Sequence, residues 1–301
     1  MAKKKICWIT SSFLLDVDIP IVPVLQDDYE IDWIILTTSA NHDGDKALIE
    51  ARGCYKYRLV TDGGIFINPK KFFFYRNLIK EIKKQNYDLY YFDFLGMPYF
   101  IPLVKMMLPM DKCIIAAHNV KTPKGARYYW LAKPYMNYVV NVCRNFQVFS
   151  LNQLDLLKSL NTKANILYAP LCLKDYGKPN IEKDEQPITF LFFGNIVEYK
   201  RVDLLLEATK ILEKKGLTNF KVQISGYCRP EKWNSKYAPL LKGLNNVSID
   251  IRRIPNDDIP NLFEKSHFFV MPYQDIAQSG AMTVALCYNI PIIASELDTF
   301  K

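Results

Sequence analysis

The stretch "ITFLFFGNIVEYKRVDLLLEATKILEKKG", Ile188 to Gly216, decides the fold. An apolar run of strand length ends at Gly194, and a short polar turn follows. From Val202 onward apolar residues recur at helical spacing. Leu205, Ala208 and Leu212 fall on one helical face with Leu204 and Ile211 beside it, and Gly216 stands where a helix stops. A continuously apolar strand that delivers the chain straight into an amphipathic helix belongs to a parallel sheet covered on both faces.

The same unit recurs on both sides of that stretch. Downstream, "KVQISG", "VSIDI", "HFFVMP" and "IPIIAS" read as strands, with "DDIPNLFEKS" and "GAMTVALCY" as helices between them. Upstream, "KICWIT", "IDWIIL", "YDLYYFDF", "KCIIAAHN" and "NFQVFS" read as strands. The helices there are "NPKKFFFYRNLIKEIKKQ" and "GARYYWLAKPYMNYVVNVC". Between the two series, "PLCLKDYGKPNIEKDEQP" (170–187) is charged, punctuated by proline and without periodicity, as a connection should be. The expected architecture is α/β: two Rossmann-like domains, residues 1–168 and 188–301, joined by a linker over 169–187.

Composition narrows the class. The chain has 301 residues, half of them apolar and 23% charged, which suits two globular domains rather than a disordered chain. Seven cysteines with no C-x-x-C pair indicate neither a zinc site nor a disulfide framework, and fit a reducing cytosol. The start, "MAKKKICWITSSFLLDVD", has the lysines and apolar run of a signal peptide. Asp16 and Asp18 close that run without a cleavage site, so it reads as a first core strand behind a basic tail. Lys105 interrupts the longest apolar stretch, "FLGMPYFIPLVKMMLP", well short of a membrane span. The net charge of +8 is concentrated in the first half, which suggests an acidic partner there, either a phospholipid surface or a phosphorylated substrate. An ordinary lysine-rich surface gives the same count.

Ligands of parallel sheets bind at the carboxyl ends of the strands, and four such ends here carry unusual residues. Gly194 permits a tight turn, and Lys200 and Arg201 sit just before the next helix, which together make a pyrophosphate site. Ser279 and Gly280 open the small-residue helix "AMTVALCY". Their amides and the serine hydroxyl are expected to face outward at a positive helix end, although serine is also the ordinary N-cap. Ile254-Pro255, after "VSIDI", offers backbone groups to a nucleobase edge. His118 ends "KCIIAAHN" and is expected to face a cleft between the domains.

These residues carry a resemblance. "FLFFGNIVEYKRVDLLLEATKIL", "VQISGY", "IRRIPNDDIPNLFEKSHFFVMPY" and "QSGAMTVALCYNIPIIAS", in that order from Ile188 to Ser295, resemble the donor-binding domain of retaining glycosyltransferases of the GT-B fold, glycosyltransferase family 4. The subset they resemble carries a QSG loop. The first half resembles the acceptor domain more weakly, through "AAHNV" and "FQVFSLNQLDLL". The resemblance implies that Lys200 neutralises the donor diphosphate, with Gly194 in the preceding loop, and that His118 faces the donor sugar. It places Gln278, Ser279 and Gly280 at the loop contacting the distal phosphate, and Ile254 at the base.

The sequence also departs from the family pattern. Asn195 stands where an arginine is usual, Arg201 replaces a glycine, and Ile276 and Val284 occupy the places of two glutamates. "TSSFLLDVDIPIVP" replaces a glycine-rich loop. The implied reaction is metal-independent, retaining sugar transfer without a cofactor, from a nucleotide-diphosphate sugar to a lipid-linked or surface-polysaccharide acceptor of the capsule or lipopolysaccharide kind. The rivals are an inactive nucleotide-sugar-binding relative and a nucleotide-sugar epimerase. Cations interleaved with aromatics in "NPKKFFFYRNLIKEIKK" and "KTPKGARYYWLAKPY" suggest a peripheral, cytoplasmic-face contact with an anionic membrane. Nothing points to nucleic acid. The chain ends at Lys301 directly after a core strand, so the second domain is expected to be incomplete and the chain truncated.

Overall fold

The computed structural model describes residues 2–62, 68–122 and 128–300. The chain divides into two units, Met1–Cys172 and Leu173–Lys301, each built on one parallel sheet. In the first unit the strands are β1 (Lys5–Ser11), β2 (Glu30–Thr37), β3 (Arg58–Thr61), β4 (Leu89–Asp93), β5 (Cys113–Ala116), β6 (Asn145–Val148) and β7 (Asn165–Tyr168). They lie in the order β3-β2-β1-β4-β5-β6-β7, all parallel. The order reverses between β1 and β4, so their carboxyl ends flank the crevice where such sheets take ligands.

Alternation along β1 and β2 divides the core of this unit in two. Cys7, Ile9, Ile34 and Leu36 pack on one side with Tyr75, Leu78, Ile79 and Ile82 of the helix Pro69–Lys84. Ile6, Trp8, Trp33 and Ile35 pack on the other with Leu15, Val22 and Ile49. The helix begins where its residues require it. The Asn68 side chain accepts from Lys70 N at 2.9 Å, and Pro69 takes the first position, where no amide is needed. The helix Tyr129–Val142 covers the second aromatic segment; Gly125, Ala126 and Arg127, which the sequence places at its start, lie outside the described residues.

In the second unit the strands are β8 (Ile188–Phe193), β9 (Phe220–Ser225), β10 (Val247–Asp250), β11 (Phe268–Met271) and β12 (Ile292–Ala294). Their order is β10-β9-β8-β11-β12, again all parallel, with the reversal between β8 and β11. The α/β class with two Rossmann-like sheets thus stands.

Two details differ from expectation. The helix Val202–Lys214 buries Val202, Leu205, Leu206 and Thr209, whereas Ala208 is exposed. Thr209 tolerates the core because its hydroxyl donates to Leu205 O at 2.8 Å, so the buried stripe includes a residue that apolar periodicity does not count. The segment 173–187 falls within the second unit and is bonded to it. Tyr176 N donates to Tyr288 Oη at 3.1 Å, Tyr288 Oη donates to Gly177 O at 2.9 Å, and Asn180 N donates to Asn261 Oδ1 at 2.9 Å.

Candidate functional site

The loop after β8 is shaped by two glycines. Gly194 has φ +115°, and Gly226, after β9, has φ +148°, a region that side chains avoid. A Cβ on Gly226 would lie 1.9 Å from Gly194 O, so the two backbones meet at a distance only glycine permits. Gly194 N donates to Ser225 O at 3.0 Å and Ile196 N to Tyr227 O at 2.8 Å, which hold the loop against the end of β9. Asn195 is exposed between them.

Lys200 ends this loop and turns inward. Its residue is 8% exposed, and among the described residues no carboxylate lies within ion-pair distance of it. The ammonium lies 5.1 Å from the centroid of the Tyr273 ring and 3.2 Å from the place a Cβ on Gly194 would take. Burial pulls its pKa down to about 8. Arg201 has φ +49°, the left-handed conformation that explains why a glycine would suit that position. Its Nε bonds both oxygens of Asp203, at 3.2 and 3.0 Å, so the guanidinium is engaged within its own helix start.

Tyr273 follows β11, so Lys200 and Tyr273 bring the loops after β8 and β11 together at the reversal of strand order. The backbone repeats the junction, with Gln274 N donating to Tyr199 O at 2.7 Å. The Tyr273 hydroxyl is buried and lies beside Ser279 without reaching a well-formed hydrogen bond. Gln278, half-buried, leads into Ser279.

Ser279 is 9% exposed and its hydroxyl accepts from Met282 N at 3.2 Å. The hydroxyl therefore caps the helix Gly280–Cys287 rather than facing outward. The amides of Gly280 and Ala281 are the ones left without an intrahelical acceptor. Ile254, half-buried against the core, lies past the end of β10, two strands from β8 in the sheet.

In the first unit, His118 follows β5 and Asp93 ends β4. His118 Nε2 and Asp93 Oδ1 are 2.7 Å apart, with the Asp93 carboxylate fully buried, and the His118 ring stacks on Phe149 at 4.3 Å and 12°. A carboxylate only accepts, so Nε2–H donates this bond and Asp93 sets the orientation of the ring. Beside β1, the segment that replaces a glycine-rich loop folds back through Asp18, which accepts from Trp8 Nε1 at 2.9 Å and from Thr10 Oγ1. Burial, reinforced by the charge of Asp93, pushes the Asp18 carboxyl well above the usual range.

Sequence reasoning missed three of these residues. Asp93 looks like any strand-end carboxylate, Tyr273 like a core aromatic, and Gly226 like a simple turn. Only the lone glycine inside "QISGY" signalled a close backbone approach.

Residues 175–301 match the family model Glycosyl transferases group 1. No curated protein sequence matches the chain. Among solved structures, sucrose-phosphate synthase from Thermosynechococcus elongatus superposes with a TM-score of 0.68 at 13% identity, covering 98% of this chain and 82% of that one. HepE of Anabaena, in complex with UDP and glucose, gives 0.66 at 12% identity over 97% and 81%. A Listeria monocytogenes protein assigned as a UDP-N-acetylglucosamine 2-epimerase gives 0.64 at 12% identity over 97% and 79%. The second unit is thus similar in sequence to the glycosyl transferases group 1 family, and the chain shares the GT-B fold of these structures.

Proposed function

We propose that the protein transfers a sugar from a nucleotide-diphosphate sugar to a lipid-linked or surface-polysaccharide acceptor, with retention and without a metal. The observation that carries this reading is the buried Lys200, without a carboxylate partner among the described residues, at the reversal between β8 and β11. Taking an ammonium out of water is costly unless something charged arrives to meet it. A diphosphate is the anion that a nucleotide-sugar donor brings. In the proposed mechanism Lys200 and the amides of Gly280 and Ala281 receive the negative charge that grows on the departing diphosphate, which is electrostatic stabilisation of the transition state. Gly194 and Asn195 line the approach, Arg201 and Gln278 flank it, and Ile254 offers backbone to the base. His118, set by Asp93, is proposed to act on the sugar being transferred.

The acceptor reading is supported by the outer face of the helix Pro69–Lys84, where Lys70, Phe72, Phe73, Arg76, Lys80, Lys83 and Lys84 are exposed. Phe73 at 62% exposure and Trp130 at 71%, at the starts of two helices, are large apolar groups that suit a lipid interface. Among the described residues no helix is long and apolar enough to cross a membrane. The protein is expected to co-sediment with anionic phosphatidylglycerol vesicles and to be released by added salt. Salt-independent binding, or none, removes the membrane from the account.

Release of nucleoside diphosphate from a panel of nucleotide sugars, measured with and without a polyprenyl-diphosphate-linked acceptor, tests the reaction. A transferase releases it in proportion to acceptor. An epimerase interconverts the sugars without needing an acceptor, and an inactive relative binds and releases nothing.

A further inference from the structure

We propose that Asp18 is a positioning residue for His118: it stays a neutral acid beside Asp93, so that the two buried carboxyls carry one negative charge and that charge faces the imidazole. The inference rests on the reading of His118 given above for its place in catalysis, while the charge of Asp18 is measurable without any transfer.

The register of β1 on β4 brings the pair together. Trp8 lies opposite Tyr91 and Thr10 opposite Asp93. Residues opposite one another, or two apart along a strand, share a face of the sheet. On that face the Trp8 and Tyr91 rings stack with centroids 3.8 Å apart. Asp18 ends the short helix Leu15–Asp18 and is laid over the same face, where it accepts from Trp8 Nε1 and Thr10 Oγ1. The Thr10 oxygen itself accepts from Trp33 Nε1 at 2.8 Å, so its one proton is committed to Asp18. Asp18 is 1% exposed and Asp93 is fully buried.

Two carboxylates in such a place need cations, and among the described residues no lysine or arginine pairs with either. The charged groups that act on Asp18 are Asp93 on β4 and Asp16 on its own helix, and Asp18 and Asp93 both act on the Tyr91 phenol. His118, after β5, bonds Asp93 Oδ1, which puts the negative charge on Asp93. Asp18 is left with burial and then the repulsion of Asp93, which outweigh its two hydrogen bonds and raise its carboxyl well above the ordinary value. Both of those bonds end on Oδ2, so Oδ1 is the oxygen left to carry a proton. Asp93 Oδ2, buried and without a hydrogen-bond partner among the described residues, is the acceptor of the pair that still lacks a donor. Ionising Asp18 would set two like charges against each other, and Asp93 would answer by taking a proton or turning from His118. The ring would then lose the acceptor that orients it.

The test follows the His118 ring by NMR in the full chain with labelled histidine, from about pH 5 to about pH 10. The sequence holds three histidines, so His42→Gln and His267→Gln variants assign the signal. Wild type is expected to show, besides the titration of the ring itself, a second inflection that reports Asp18. Asp18→Asn is expected to remove that inflection, and Asp93→Asn to move it to lower pH by removing the neighbouring charge. Melting temperature gives a second readout. Above the ordinary value of 3.8 the folded chain keeps a proton that the unfolded chain releases, so wild type loses stability as pH rises toward the raised folded value. Asp18→Asn, which offers an oxygen to Trp8 and Thr10 and an amide to Asp93, is expected to melt higher by roughly 3 °C or more near pH 8, with the gap closing toward acid. Wild type without the second inflection, or a second inflection that survives in Asp18→Asn, would overturn the proposal and leave Asp18 an acceptor for Trp8 and Thr10 alone. A lower melting temperature for Asp18→Asn at every pH would overturn it as well, by showing an ionised carboxylate to be the better partner. Wild type that releases no nucleoside diphosphate to an acceptor would overturn the transferase reading instead, and the resonance and melting results would still decide the charge of Asp18.

Discussion

Lys200→Met is expected to weaken nucleoside-diphosphate binding by roughly 10- to 150-fold and, at the same time, to raise the melting temperature of the unliganded protein. The first effect follows from losing a hydrogen bond to a charged group, worth about 1.5–3 kcal/mol. The second follows from the burial of an ammonium beside an aromatic ring, with no carboxylate among the described residues within reach, which the interior disfavours enough to bring its pKa down to about 8. Methionine fills similar space without that desolvation. A lysine kept for structure would behave in the opposite way, with a lower melting temperature and unchanged affinity. The pH dependence has a definite sign. Between about pH 8 and the ordinary value of 10.5 the unfolded chain holds the proton that the folded chain has released. The contribution of Lys200 to stability therefore improves as pH rises through that window. Affinity for a diphosphate falls over the same window, as the ammonium is lost.

The second large effect is expected at His118. His118→Ala should lower transfer by about 100-fold or more, as loss of one preorganised polar group in an active site does, while nucleotide binding by the second unit persists. The Asp93 contact and the Phe149 stack fix the ring from two sides, which is how a group that meets substrate is held. Removing the ring also deprives the buried Asp93 of that bond, so turnover is measured per folded molecule. Turnover within threefold of wild type, roughly 0.65 kcal/mol, would make His118 a support for the strand ends and no more.

The sequence announces strands where burial is complete and goes quiet at the sheet edges. β1 and β4, with nearly every residue buried, read directly as apolar runs, whereas β3 and β7, partly exposed edge strands of four residues, carry no such pattern. The site shows the same division. Gly194, Lys200 and Ser279 are visible because each sits beside a strand or helix that periodicity already locates. The inward turn of Lys200, the engagement of Arg201 by Asp203, and the use of the Ser279 hydroxyl as a cap depend on side-chain directions, which spacing does not encode. Asp93 is invisible for a related reason: its partner His118 lies 25 residues along the chain, and only the pairing of β4 with β5 brings the two within reach.

The most direct measurement of the central claim, that a donor diphosphate sits on Lys200, is the proton inventory of binding. UDP is titrated into the protein at about pH 8.5 in two buffers of different ionisation enthalpy. With its pKa at about 8, Lys200 is largely neutral there, and a neighbouring diphosphate restores its charge. The account predicts net proton uptake for the wild-type protein and none for Lys200→Met. Binding without uptake, or the same uptake in the variant, would contradict it.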